Sequence, residues 1–315
     1  MRTIKVKTGV VLNYQDEGDK SAPSIILIMG LGAQMITWPD ALYYGLVNNG
    51  FRVIRFDNRD TGLSTHLDQH PAPSLFKTWL SKHLPIRSNV PYLLDDMAED
   101  VLALMAELKI KKAHLVGASM GGMIAQLMAV KNKKRVLSLT LIMSCSSSPR
   151  PTAKNLNVFL KLSKFKTKVP CRDAAINYNI KLNQLIGSPA YPQSEKLLRE
   201  HAIKTVDRSY NQSGYKRQLI AITASKNRDH LIRKIKAPTL IIHGSADIVF
   251  PAAEARKMAK LIKKSKLKIV RGMGHNFVPE LMPKMTKWIT KHIKKSQRKR
   301  LEKIRNKKIK MALQE

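Results

Sequence analysis

Two kinds of apolar spacing alternate along the chain as far as Met143. Ile4–Lys7 and Val10–Tyr14 alternate apolar and polar residues, the two-residue period of a half-buried strand, and Thr8-Gly9 between them has hairpin turn chemistry. Ser24–Met29 is almost continuously apolar, as a strand covered on both faces of a parallel sheet must be, and Phe51–Phe56, the short apolar run Leu115-Val116 and Val136–Met143 read as further strands. Helical spacing separates them. Trp38–Asn49 is one such segment, closed by Gly50, and the small-residue, Met-rich run containing Ile124, Ala125, Leu127 and Met128 is another. In Tyr92–Leu108 the apolar residues Leu94, Met97, Val101, Leu104, Met105 and Leu108 recur at steps of three and four. Asp95, Asp96, Glu99 and Asp100 crowd the first half of that segment, where the helix dipole favours negative charge, and they are predicted to face solvent or to stabilise the helix.

After Ser144-Cys145-Ser146 the alternation stops. From Pro149 to Lys236 the pattern is one of short helical pieces interrupted by Pro151, Pro170, Gly187, Pro189, Pro192 and Gly214. The earlier rhythm resumes with the strand Thr239–Gly244, a helix over Ala252–Ile262, a strand over Lys266–Val270 and an amphipathic helix over Phe277–Ile293. The expected architecture is an α/β fold, a mostly parallel eight-stranded sheet flanked by helices. Its core would comprise residues 1–144 and 237–293, with a helical cap, 145–236, inserted after strand 6 over the C-terminal edge of the sheet. Residues 294–315 would form a basic tail, either a projecting helix or a frayed end. The segment between His66 and Pro91, with a short helix near Leu75–Leu80, is expected to border the site.

Composition narrows the class. The 315 residues are enough for one large α/β domain, and 43% hydrophobic content is that of a protein with an ordinary core. There is no apolar window long enough for a membrane span and no secretory h-region. Cys145 and Cys171 have no metal or redox spacing and are expected to be reduced thiols of a cytoplasmic protein. The net charge of +35 is unusual. From Lys291 onward 11 Lys/Arg face 2 acids, a charge of +9, so +26 is spread over the remainder. That diffuse distribution fits a solvated basic surface with weak attraction for anionic partners better than a specific nucleic-acid footprint.

Candidate chemistry centres on Gly117-Ala118-Ser119-Met120-Gly121. An apolar run precedes it and a helical pattern follows, the context in which G-x-S-x-G swings a serine out over a sheet edge. A serine hydroxyl needs an imidazole to take its proton. Nine histidines are present, and His275, in Gly272-Met273-Gly274-His275, follows the last strand in a loop able to lower its ring onto the serine. His243 and His114 belong to strands, His66, His70 and His83 to the loop, and His201 and His230 to the cap. The imidazole in turn needs a carboxylate to fix its tautomer and stabilise its cation. Asp247, in Gly244-Ser245-Ala246-Asp247, follows the strand before. Ser119, Asp247 and His275 each follow their own strand, so all three are expected at one sheet edge. Backbone N–H groups of Met120, at the helix start, and Leu31, in Gly30-Leu31-Gly32, would form an oxyanion hole, each donor worth about 10²–10³ in rate.

These motifs resemble the α/β-hydrolase superfamily over almost the whole chain. The stretches Met29-Gly30-Leu31-Gly32 with Trp38-Pro39, Phe56-Asp57-Asn58-Arg59-Asp60-Thr61-Gly62-Leu63-Ser64 and Tyr92-Leu93-Leu94-Asp95-Asp96-Met97-Ala98 are similar to the esterase branch that includes aclacinomycin methylesterase. The resemblance implies the α/β-hydrolase fold, a carboxylic-ester hydrolase with a helical lid, a small-molecule ester substrate, and neither cofactor nor metal. It does not extend to the lid or the tail, so no natural substrate follows from it. Lactonases, carbon–carbon bond hydrolases and iminopeptidases use the same triad. An iminopeptidase would need cap acids to hold its substrate amine, for which Asp173, Glu195, Glu200 and Asp207 are the candidates. A basic binding protein on a hydrolase scaffold is the non-enzymatic alternative. Asp57, Arg59 and Asp60 are expected to brace a loop beside the site, and Met29, Met35, Met120 and Met123 to give an adaptable apolar pocket.

Overall fold

The computed structural model describes residues 1–81, 89–147, 171–312 and 314. His83, Pro149 and the breaks expected at Pro151 and Pro170 lie outside the described residues. Eight strands form one sheet: β1 (Arg2–Lys5), β2 (Val11–Glu17), β3 (Ser24–Ile28), β4 (Arg52–Phe56), β5 (Ala113–Ala118), β6 (Val136–Ile142), β7 (Thr239–Gly244) and β8 (Ser265–Val270). Their order is β1-β2-β4-β3-β5-β6-β7-β8. The β1–β2 and β2–β4 pairs are antiparallel and the rest are parallel.

The apolar runs are continuous because both faces of the central strands are covered. Ile26 and Ile28 of β3 and Ala113 and Leu115 of β5 belong to one core cluster, with α3 (Leu94–Glu107), α4 (Met120–Lys131) and α9 (Ala252–Leu261). Ile25, Leu27, Val116 and Ala118 face the opposite way, onto α1 (Asp40–Val47) and α10 (Met282–Ala312). Successive strand residues alternate faces, so each run feeds two cores. The edge strand β8 is covered less and alternates instead, with Lys266 and Lys268 exposed.

Helix ends differ from the sequence expectation where proline intervenes. Trp38 is extended (φ −65°, ψ 117°) because the proline ring at residue 39 disfavours helix before it, so α1 starts at Asp40. Pro279 opens a 3₁₀ turn, and α10 starts at Met282 instead of Phe277. The same helix continues through the basic tail to Ala312, well past Ile293. In α3, Asp96 accepts the N–H of Leu93 and caps the helix, and Asp95 pairs with Lys131. Asp100 departs from the predicted solvent-facing role. It is buried and binds Arg59 through both oxygens (2.6 and 2.7 Å) and the Thr8 hydroxyl (2.6 Å).

Between β6 and β7 the described residues form α5 (Arg172–Ile186), α6 (Glu195–Arg208), α7 (Gln212–Ala224) and the short α8 (Asp229–Ile232). The helix α2 (Leu75–Leu80) lies in the predicted loop. Both cysteines are free, Cys145 buried and Cys171 exposed. No helix among the described residues is long and apolar enough to cross a membrane.

Candidate active site

Ser119 stands between β5 and α4 with φ 53° and ψ −119°, a backbone conformation rarely adopted by a residue with a side chain. Its surroundings hold it there. The Ser119 N–H donates to the Ile142 carbonyl (2.9 Å), and its own carbonyl accepts the Ser144 hydroxyl (2.8 Å) and the Gly122 N–H (3.0 Å). The turn also requires glycine. A Cβ on Gly121 would lie 1.9 Å from the Ile28 carbonyl oxygen, and one on Gly117 would lie 2.3 Å from that of Gly121. The strain is localised at the serine and over-determined by the chain around it.

His275 occupies the loop after β8. Its backbone N–H donates to the carbonyl of Ile186, the last residue of α5, at 2.8 Å, and the Phe250 ring stands edge-on to the imidazole with centroids 5.3 Å apart. The imidazole Nε2 is 3.0 Å from the Ser119 hydroxyl and Nδ1 is 2.8 Å from Asp247 Oδ2. Asp247 is buried and its Oδ1 accepts the backbone N–H groups of Val249 (2.9 Å) and Phe250 (2.8 Å). An ionised carboxylate only accepts, so the proton sits on Nδ1 and leaves the Nε2 lone pair facing the serine O–H. The three residues singled out in the sequence thus meet at one edge.

The two expected backbone donors flank the serine. Met120 is the first residue of α4, a position whose N–H has no intrahelical partner. Leu31 lies in the turn after β3, and that turn passes so close that a Cβ on Gly30 would be 3.1 Å from the Ser119 Cβ. Both Leu31 and Ser119 line a cavity of about 770 Å³ between the sheet edge and helices α2, α5, α6 and α7. Its walls are mainly apolar, with Leu182, Leu198, Leu219 and Ile222 among them. Met29 and Met123 line it as expected. Met35 and Met120 instead point into the protein and are fully buried, and Met143 takes a place at the cavity that the sequence did not suggest.

Several contacts at the site had no sequence signal. His243 Nε2 donates to the Phe250 carbonyl (2.7 Å), and it also faces Asp247 Oδ2 at 3.4 Å. Burial pushes the His243 pKa down, which keeps the ring neutral. Asp57 accepts from the Met35 N–H and the Arg208 guanidinium, both at 2.7 Å. Asp60 takes a two-pronged bond from Arg217 (2.7 and 2.9 Å), and Gln218 holds both the Gly32 N–H (2.8 Å) and the Arg59 carbonyl (2.7 Å). The loop around Asp57–Asp60 is therefore braced, and its braces come from α6 and α7. The four cap acids stand away from the cavity. Asp173, Glu195, Glu200 and Asp207 are exposed, with Asp207 bound to Arg172.

A parallel sheet entered by an antiparallel hairpin, with a strained serine between its central strand and the following helix, defines an α/β-hydrolase architecture. The family model for the alpha/beta hydrolase fold matches residues 23–280, and the chain belongs to that family. Among proteins similar to it are Rhodomycin D methylesterase DnrP of Streptomyces peucetius, 24% identical over 84% of this chain and 89% of the relative, and Proline iminopeptidase of Lactobacillus helveticus, 24% identical over 89% and 94%. Among solved structures, the enol-lactonase from Burkholderia xenovorans LB400 superposes with a TM-score of 0.73 at 22% identity, covering 93% of this chain and all of the other.

Proposed function

We propose that this protein is a serine hydrolase that cleaves carboxylic esters of small or medium apolar molecules through an acyl-enzyme. Ser119 Oγ attacks the ester carbonyl as His275 Nε2 takes its proton. Asp247, held by two backbone N–H groups, orients the ring and stabilises the imidazolium. The N–H groups of Leu31 and Met120 receive the negative charge on the carbonyl oxygen. His275 then returns the proton to the leaving alcohol. Water, deprotonated by the same imidazole, attacks the acyl carbon and releases the acid, restoring the Ser119 hydroxyl.

The observation that carries this reading is the continuous relay, Ser119 to His275 at 3.0 Å and His275 to Asp247 at 2.8 Å. The apolar cavity favours an acyl or aryl group, and the similarity to a methylesterase is in keeping with an ester. The exposed positions of Asp173, Glu195, Glu200 and Asp207 speak against capture of a substrate amine. We place the enzyme in the cytoplasm, in keeping with its two unpaired cysteines. A series of p-nitrophenyl acyl esters tests the proposal. Turnover should fall by at least about 10³ in Ser119→Ala while the melting temperature stays near that of the parent. Activity equal to the parent's in that variant would remove the assignment.

A further inference from the structure

The helix α10 outlasts the core it packs on. Its buried seam, Met282, Met285, Ile289 and Ile293, repeats at steps of three and four and ends at Ser296. The helix then runs on to Ala312, roughly four further turns. Large apolar side chains persist there without a core to cover them. Leu301 is 67% exposed, Ile304 45%, Ile309 47% and Met311 54%. Leu301, Ile304 and Met311 are spaced by three and seven residues and share one side of the helix, and Ile304 and Met311 continue the line of Ile293.

The charge of this extension selects what could cover it. Residues 298–312 hold eight Lys/Arg against the single acid Glu302, a net +7. At its root, Lys287, Lys291, Lys294, Lys295 and Arg298 line a groove of about 860 Å³ between α1 and α10 that has no acidic lining residue. Lys295 is held below the ordinary lysine pKa by its like-charged neighbours Lys266, Lys299 and Arg298, so these cations crowd one another, and of them Arg298 pairs with Glu302 at 3.6 Å. A second copy of the helix would bring +7 against +7, and the sequence 298–312 contains no aromatic ring to stack on a nucleic-acid base. An anionic bilayer satisfies both features at once, because cations meet lipid phosphates while apolar side chains enter the acyl boundary.

We propose that residues 298–312, with the cationic groove at their root, form an interfacial helix that docks the protein on membranes carrying acidic phospholipid. The assignment is independent of the hydrolase chemistry, since it uses no residue of the Ser119 site.

Co-sedimentation with vesicles tests it, comparing phosphatidylcholine alone with phosphatidylcholine mixed with phosphatidylglycerol. The full chain should bind only the mixed vesicles and release as salt rises. The variant Leu301→Ser/Ile304→Ser/Ile309→Ser/Met311→Ser changes exposed positions and leaves the charge intact. It should bind at least about tenfold more weakly. A chain ending at Gln297 should bind more weakly still, and Ser119→Ala should bind like the parent, whatever happens to its esterase activity. Undiminished binding by both the serine-substituted and the shortened chains would overturn the proposal. So would equal binding to phosphatidylcholine alone, tighter binding to duplex DNA at the same salt and anion concentration, or self-association that disappears in the serine-substituted chain.

Discussion

Ser119 carries a positive φ that a residue with a side chain rarely adopts, and the chain holds it there through Ile142, Ser144 and Gly122. The benefit is geometric: the hydroxyl is presented at the start of α4, within 3.0 Å of His275 Nε2. The acid end of the relay is built with similar care, and here His243 matters. Its Nε2–H donates to the Phe250 carbonyl (2.7 Å), and the same nitrogen stands 3.4 Å from the Asp247 oxygen that also receives His275. As a positioning residue it acts through Asp247. Replacing it by Leu should lower kcat about five- to tenfold, the worth of one neutral hydrogen bond, with KM little changed. His243→Gln, which can supply an N–H at the same place, should recover most of that loss. Equal kcat in the parent and the Leu variant would show that the 3.4 Å contact has no consequence for the relay.

At the scale of elements, the insertion is tied to the core by arginines. Arg217 of α7 is 1% exposed and binds the buried Asp60 through two nitrogens, while Arg208 at the end of α6 reaches Asp57, Asn13 and Gln34. A buried ion pair adds little net stability when complete but leaves a costly bare charge when broken. Arg217→Met should therefore lower unfolding stability by about 3–5 kcal/mol, measured by urea denaturation. Adding Asp60→Asn should restore a large part of it, because the two changes share one interaction. Additive losses would contradict the pairing. These ties mark the limit of what the sequence could disclose. The sheet and its helices were legible because burial on two faces writes long apolar runs, and Ser119, Asp247 and His275 because each follows its own strand. The Arg208–Asp57 and Arg217–Asp60 partners are separated by about 150 residues with no periodicity to link them. Asp100 escapes the sequence pattern for the same reason. Three neighbouring acids favoured a solvated face, but Arg59, on a loop 41 residues away, draws it inward. The helix ends at Trp38 and Phe277 shifted because the prolines at positions 39 and 279 impose extended backbone or a tight turn.

Taken whole, the molecule carries +35 and buries several histidines in neutral form, and both features act in one direction as pH falls. Burial lowers the pKa of His201, His243 and His292, and takes that of His114 to about 3. His114 is fully enclosed in β5, with Nδ1 2.7 Å from the Ser138 hydroxyl and Nε2 3.2 Å from the Gln297 side-chain nitrogen, near the end of the α10 seam. The unfolded chain takes up a proton at an ordinary histidine pKa near 6.5, whereas the folded chain refuses it until about pH 3. Over that window the unfolded state binds more protons, so stability falls with decreasing pH, by about 1.4 kcal/mol per unit for each such group once the unfolded form is charged. Each added proton also raises a net charge that already repels itself. Replacing His114 by Gln, which can still bond to Ser138, removes one titrating group. Urea unfolding at a series of pH values should then show a slope between about pH 6 and 4 shallower by close to one proton's worth, about 1.4 kcal/mol per unit. At neutral pH, where the parent histidine is uncharged in both states, the variant should differ only by the packing change. A slope identical to the parent's across that window would mean that the ring at 114 is protonated in the fold, and that the strand bearing it is open to water.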